Sequence, residues 1–348
     1  MSGDLATSSP QLPAQPLVLA LETSCDESAA ALMQGTDLLA AEVFSQVAIH
    51  GEYGGVVPEV ASRSHLRALR PVLESVLSRA SLRLSDLDAV AATCGPGLAT
   101  SLMLGLSLAK GIAVALRKPF IPVNHIEGHL LSPFLAEPEG PRAAIGLVVS
   151  GGHTLLVRIQ STGDYRILGK TLDDAAGEAF DKVGKLLGLP YPGGPHVSRT
   201  AEQGSGARFD LPRSMLHSGD FNFSFSGLKT AVRYLLPKHV PVPVADVCAS
   251  FQEAVVDVLV AKTMRALEVE GVDTLAVSGG VSCNLRLRER FKAECSAAGV
   301  RLLLAPNELC TDNAAMIAYV AALKLRAGFV SQLDAEIEPN LRTADWLR

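Results

Sequence analysis

What this chain lacks narrows it first. Its six cysteines, at positions 25, 94, 248, 283, 295 and 310, include no C-x-x-C pair. That argues against a zinc ribbon or a disulfide framework and fits a reduced, cytoplasmic protein. Aromatic residues are only 5% of the sequence, so a core must be packed from Leu, Val, Ile and Ala. Positive charge is not in excess: the formal net charge is −5. Any nucleic-acid contact must therefore be local or shared with a partner. Residues 1–16 have neither a basic segment nor an apolar one, so they read as a disordered leader and not a signal peptide. The phosphate-binding patterns G-x-x-x-x-G-K-[ST] and G-x-G-x-x-G are missing, and so is the protease pattern H-E-x-x-H.

What is present can bury a large core: 348 residues, 48% hydrophobic and 19% charged. Length predicts roughly two domains. Leu17–Leu21 is a continuous apolar run, as in a central strand covered on both faces. It ends in a tip rich in carboxylates and hydroxyls (Glu22, Thr23, Ser24, Asp26, Glu27, Ser28) before Ala29–Met33 turns apolar again. A Gly-rich loop from His50 opens a long helix whose expected apolar stripe is Leu66, Leu69, Leu73, Val76 and Leu77. Arg63, Arg67 and Arg70 lie on or beside its other side, a solvated face or a small basic patch. Asp88–Ala92 is a second buried strand. Leu98–Leu116 follows as a helix expected to lie buried between layers; no membrane span is expected. After a Pro-rich bend the pattern restarts. Ala144–Val149, the tip Ser150-Gly151-Gly152-His153-Thr154 and Leu155–Ile159 repeat strand, polar turn and strand, which points to a duplicated domain.

Between these halves stands His125-Ile126-Glu127-Gly128-His129. On a helix the two imidazoles share one face and can grip one divalent metal. Spacing alone leaves equally open two buried histidines that only satisfy hydrogen bonds. Asn124 reads as an N-cap after the strand Pro119–Val123. Further along, Glu178–Lys182 and Asp181–Lys185 have i,i+4 spacing, so Asp181 is either a surface ion pair or a site residue. Tyr191-Pro192-Gly193-Gly194-Pro195 is expected to be a rigid turn, and Phe221–Ser226 alternates like a strand with three Phe inward. Gly279-Gly280 ends another strand, with Asn284 at a helix start; Thr311 or Asp312 reads as the N-cap of the last helix.

The runs ETSCDES (22–28), YGGVVPE (53–59), HIEGH (125–129), VSGGHT (149–154), GEAFDKVGKLLGL (177–189), YPGGP (191–195), SFSGLKTA (224–231), SFQEAVVD (250–257), SGGVSCN (278–284) and LCTDNAAMIA (309–318) occur in this order. Together they resemble the TsaD family of tRNA N6-adenosine threonylcarbamoyltransferases, once described as sialoglycoprotein endopeptidases (Gcp/YgjD), with relatives in the KEOPS complex. The resemblance spans roughly residues 17–330. It implies an α/β fold of the ASKHA type (actin, Hsp70, sugar kinases), built of two ribonuclease-H-like lobes. The expected organisation is leader 1–16, lobes 17–140 and 141–330, the second with a helical insertion, and a tail 331–348. The implied metal ligands are His125, His129 and Asp312, with Fe2+ expected and Zn2+ as the alternative. The implied substrate contacts are Val148, Val149, Ser150, Gly151, Gly152, Asp181, Gly194 and Asn284. Ser198 stands where many relatives carry an Asp, which puts one hydroxyl contact in doubt.

The implied reaction moves a threonylcarbamoyl group from threonylcarbamoyl-AMP to N6 of the adenosine at position 37, beside the anticodon, in tRNAs reading ANN codons. Asp26, Glu27 and His153 are candidates for the proton acceptor, and the sequence does not choose among them. Implied partners are TsaB and TsaE, with a TsaC-type synthase supplying the intermediate. A metalloprotease and a non-catalytic nucleotide-binding scaffold stand as alternatives.

Overall fold

The computed structural model describes residues 13–328 and 333–341. Most of the expected leader, and the tail beyond residue 341, lie outside the described residues. The chain forms two five-stranded sheets. The first is built from β1 (Leu17–Glu22), β2 (Glu27–Gln34), β3 (Asp37–Ser45), β4 (Ala89–Gly95) and β5 (Phe120–Asn124), in the order β3-β2-β1-β4-β5. The second uses β6 (Ala144–Val149), β7 (Thr154–Ser161), β8 (Asp164–Lys170), β9 (Thr274–Ser278) and β10 (Arg301–Leu304), in the order β10-β9-β6-β7-β8. Each sheet opens with two antiparallel pairings and continues with two parallel ones. Read from its first strand, each half has the same topology. This is the duplicated ASKHA-type fold.

The helices are α1 (Val47–Gly51), α2 (Pro58–Ala80), α3 (Ala99–Leu116), α4 (His125–Leu131), α5 (Ala176–Leu186), α6 (Gly193–Ala201), α7 (Ser226–Leu235), α8 (Val244–Glu270), α9 (Leu285–Ala298) and α10 (Ala314–Arg326). Strand alternation sorts the side chains of the first sheet. Leu19, Leu21, Leu32 and Val90 face one core with residues of α2 and α3, whereas Val18, Ala20, Ala29, Ala31 and Ala91 face another. Small residues on that second face let α10, itself rich in Ala, lie close to the sheet. The same core takes in Ile126 and Leu130 of α4 and Val148, Leu155 and Val157 of the second sheet. The outer face of the second sheet packs on α5, α8 and α9. Thus α4 and α10 form the layer between the sheets, and the loops that open them meet in the cleft.

Several sequence expectations need correction. The Leu98–Leu116 segment is helical over Ala99–Leu116, but it is not buried between layers. It packs one face on β4 and α2 and leaves Met103 and Val114 exposed. It is also the one helix among the described residues long and apolar enough to cross a membrane. In α2 the inward stripe is His65, Ala68, Leu69, Val72, Leu73 and Val76; Leu66 is 69% exposed. Arg63 and Arg70 pair with Glu59 and Glu74 one turn away. Phe221–Ser226 is not a strand. Phe223 and Phe225 are buried, but only one isolated bridge forms, between Thr171 and Phe223. The carboxylate of Asp173 accepts hydrogen bonds from this segment's Ser224 and Ser226 hydroxyls and from the amides of Phe225 and Ser226. Finally, Ala335 and Ile337 of the tail fold back onto the α2–α3 core, with Glu338 N bonded to Cys94 O and Gly97 N to Pro339 O.

Candidate metal centre and nucleotide cleft

α4 begins at the end of β5, where Asn124 caps it: its side-chain oxygen accepts from Ile126 N (2.8 Å) and Glu127 N (3.2 Å). The cap places His125 and His129 on one helix face, with ring centroids 4.7 Å apart. Opposite them stands Asp312. The N-cap of α10 is Asn313, whose side chain accepts from Met316 N, and not Thr311 or Asp312. Asp312 is thereby free to face the imidazoles. His129 Nε2 lies 3.0 Å and His125 Nε2 3.5 Å from Asp312 Oδ1, and one ligand atom from each of the three falls within 4.8 Å of the others.

Buried groups behind the triad aim it. Glu22, wholly buried at the end of β1, accepts from His125 Nδ1 at 3.1 Å, and Ser24 Oγ lies equally close to that nitrogen. A proton held on Nδ1 leaves Nε2 as the donor atom facing Asp312. Glu22 is itself fixed by Ser24 N and the Thr93 hydroxyl. Burial depresses the basicity of His125, but the charges of Asp312 and Glu22 outweigh it and push the imidazole up to about 9. Burial would raise Asp312, yet His125 and His129 hold it well below the usual carboxylate range. The site's field thus calls for positive charge between these groups. Two imidazole nitrogens and a carboxylate oxygen are a donor set that suits a divalent transition metal, so the residues present fit one.

Glu127, the acid inside the histidine motif, is not available to such a metal. Its carboxylate pairs with Lys324 Nζ at 2.8 Å and accepts from Tyr165 OH at 3.0 Å.

Two cavities share the cleft. One, of about 430 Å³, is lined by Phe180, Gly194, Ser198, Arg199, Glu202 and Asn284 among others. The second, of about 450 Å³, is lined by Ser24, Pro96, Gly97, His125, His153 and Asp312 among others. Asp26, Glu27, Gly151, Asp181, Tyr191, Gly280 and Thr311 border both. Asp181 forms no ion pair with Lys185. Instead its Oδ1 accepts from Gly194 N at 3.2 Å, because Gly193 and Gly194 open α6 where a rigid turn was expected. Lys182 takes both Glu178 and Asp174. Asn284 caps α9 through its side-chain oxygen, while its Nδ2 donates to Gln252 (2.7 Å) and Ser198 (3.2 Å). Gly279 sits at φ 88°, where a Cβ would run into Val149 O; only glycine brings this turn so close to β6.

The structure therefore gathers Gly151, Asp181, Gly194 and Asn284 at the first cavity and Ser150 and Gly152, with His125 and Asp312, at the second; His129 is wholly buried and lines neither. Val148 and Val149 do not join them through their side chains, which are wholly buried in the cores on either side of the sheet. Three features escaped the sequence reading. These are the orienting role of Glu22, the wall formed by Pro96–Leu98 and the position of Tyr191 between the cavities. Glu22 did leave a signal: it is a carboxylate ending an otherwise apolar central strand.

Comparison with known proteins agrees with this picture. A family model described as "TsaD: tRNA N6-adenosine threonylcarbamoyltransferase" matches residues 37–319. The chain is 53% identical over 336 residues to the tRNA N6-adenosine threonylcarbamoyltransferase of Pelobacter propionicus, covering 95% of this chain and 97% of that one. It is 51% identical over 318 residues to the protein of that name from Chromobacterium violaceum, covering 89% and 93%. Among solved structures, HypF of T. kodakarensis superposes with a TM-score of 0.62 at 15% identity, covering 91% of this chain and 49% of HypF; the chain thus spans about half of that protein. Component A of the (R)-2-hydroxyglutaryl-CoA dehydratase of Acidaminococcus fermentans superposes with a TM-score of 0.52 at 15% identity, covering 89% and 98%. These two likenesses show the fold.

Proposed function

The chain belongs to the TsaD family of tRNA N6-adenosine threonylcarbamoyltransferases, and from that premise we propose how its cleft performs the transfer. It is a transferase that carries a threonylcarbamoyl group to N6 of adenosine in tRNA. The observation that carries the detailed reading is the junction of two cavities, one suited to a nucleotide and one bordered by His125 and Asp312 of the donor triad, with Asp181 and Tyr191 between them.

Threonylcarbamoyl-AMP is a mixed anhydride. N6 of adenosine 37, in tRNAs reading ANN codons, attacks the carbamoyl carbon. A C–N bond forms, the C–O bond to the phosphate breaks, AMP leaves, and N6 gives up a proton. The nucleotide occupies the cavity of Gly194 and Asn284, where the Asp181 carboxylate accepts from the ribose hydroxyls and the amides of Gly151 and Gly152 face the phosphate and carbonyl oxygens; the Ser150 amide is spent on His153 O. A divalent ion held by His125, His129 and Asp312, Fe2+ by our reading and Zn2+ as the alternative, would polarise the acyl group and offset charge on departing AMP. N6 is a weak nucleophile, because its lone pair is delocalised into the ring, so positioning supplies much of the rate.

Among the candidate proton acceptors, Glu27 is pushed up to about 10 in the metal-free chain by burial, Asp312 and Asp26. His153 is pulled down to about 4 by burial and by the neighbouring imidazoles, which makes it a weak base. Asp26, which borders both cavities, is the candidate these two shifts leave.

The ion pair between Glu127 and Lys324 counts against the metalloprotease alternative, since the acid of the motif is spent on structure. The intact donor triad counts against a non-catalytic scaffold. A chain with net charge −5 needs basic surface from elsewhere to hold tRNA well. TsaB and TsaE are the proposed partners, a TsaC-type enzyme the source of the acyl-adenylate, and the cytoplasm the compartment. The test is incubation with threonylcarbamoyl-AMP, tRNA and these partners, followed by nucleoside analysis. Threonylcarbamoyladenosine should appear and should require the triad; its absence with every component verified would refute the reading.

A further inference from the structure

Glu127 is a buried carboxylate that the proposed reaction does not use. It is 5% exposed, in the first turn of α4, two residues after His125 and two before His129. At 3.6 residues per turn it projects roughly 200° away from each imidazole, on the opposite side of the helix. There it meets Lys324 in the last turn of α10 at 2.8 Å and the Tyr165 hydroxyl of β8 at 3.0 Å. The two helices also touch closely nearer the start of α10: a Cβ on Gly128 would lie 3.0 Å from both Ile317 Cδ1 and Met316 Cγ. The segment after α4 is tied to α10 as well, through Tyr319 OH and Phe134 O at 3.1 Å.

The metal donors are divided between these same two helices. His125 and His129 ride on α4, and Asp312 enters α10 two residues before its first turn. A roll of α4 about its axis would swing both imidazoles relative to the Asp312 carboxylate without breaking a hydrogen bond inside the helix. Apolar packing resists such a roll weakly because it has no direction, whereas an ion pair and a hydrogen bond on the far face fix the angle.

We propose that Glu127 is a positioning residue of the metal centre. Through Lys324 and Tyr165 it locks the roll of α4 against α10 and β8, and so sets the spacing of His125 and His129 from Asp312. The proposal rests on the metal reading above. Failure of the wild-type chain to bind Co2+ would count against that reading, whereas the outcome below bears on Glu127 alone.

The experiment titrates the metal-free full chain with Co2+, follows its visible absorption, and repeats the titration in competition with a chelator, well below the melting temperature of each variant. Glu127→Gln is expected to weaken Co2+ about 10- to 100-fold, the range found when groups that orient metal ligands are removed, and to change the shape of the absorption band. Lys324→Met should do the same, and Tyr165→Phe should act in the same direction but less. The exchanged pair E127K/K324E restores an ion pair across the same gap and should recover affinity over either single variant. A role confined to stability would lower the melting temperature and leave both affinity and band shape of the folded variants as in wild type. That result overturns the proposal. Should Glu127→Gln not fold, Lys324→Met and Tyr165→Phe decide it by the same criterion.

Discussion

His125 Nδ1 and Glu22 Oε2 stand 3.1 Å apart, both buried, the first opening α4 just after β5 and the second ending β1, strands that are not neighbours in their sheet. The contact assigns the imidazole proton to Nδ1 and leaves Nε2 to face Asp312. Glu22→Gln keeps the shape and removes the charge. It should weaken divalent-metal binding about 10- to 100-fold, measured by chelator competition with Zn2+. Unchanged affinity would show that the carboxylate does not orient the ligand.

Asn284 joins the first cavity to α9. Asn284→Ala removes the cap that accepts from Leu287 N, at a cost of about 1 kcal/mol, along with its bonds to Gln252 and Ser198. A lower urea midpoint should accompany a raised KM for the acyl-adenylate. Ser198→Ala deletes only the 3.2 Å bond and should change stability by less than about 0.5 kcal/mol. Equal destabilisation by the two would contradict this division of roles.

On α2, burial separates two leucines that look alike in sequence. Leu73→Ala opens a cavity in the core that α2 shares with the first sheet and should cost about 2–5 kcal/mol. Leu66→Ala should cost less than about 0.5 kcal/mol in the isolated chain. Denaturant unfolding of the two variants measures the contrast, and comparable losses would contradict the burial that separates them.

Glu27 gives the metal-free chain a pH dependence. Its folded pKa is pushed from the ordinary 4.5 up to about 10, first by burial and then by Asp312 and Asp26. Between those values the folded chain holds a proton that the unfolded chain has lost, so stability falls as pH rises through the window. Glu27→Gln removes that titration. Melting curves from about pH 5 to about pH 9 should fall less steeply for the variant; parallel slopes would refute the assignment.

Much of the fold was legible because buried strands announce themselves. Leu17–Leu21, Ala144–Val149 and Leu275–Val277 are continuous apolar runs in strands at central positions of their sheets. The edge strands β3 and β8 were harder to see: Asp37–Ser45 and Asp164–Lys170 mix apolar and polar residues without a clean alternation. The rotation of α2 was misjudged because leucine spacing does not say which leucine points inward, and buried His65 takes part of the stripe. The two histidines and the N-cap at Asn124 could be read locally. Asp312 came from family resemblance, since 183 residues separate it from His129 and only the packing of α10 beside α4 brings them together. A comparable separation hid the partnership of Glu127 with Lys324.

The most direct measurement is nucleoside analysis of tRNA after reaction with threonylcarbamoyl-AMP, the proposed partners and either wild-type chain or His129→Ala. Threonylcarbamoyladenosine is expected with wild type, and at least about a 100-fold lower yield rate with the variant, since the loss of one donor removes the charge stabilisation at the acyl group. Product formed at the wild-type rate by a folded His129→Ala chain would contradict that expectation.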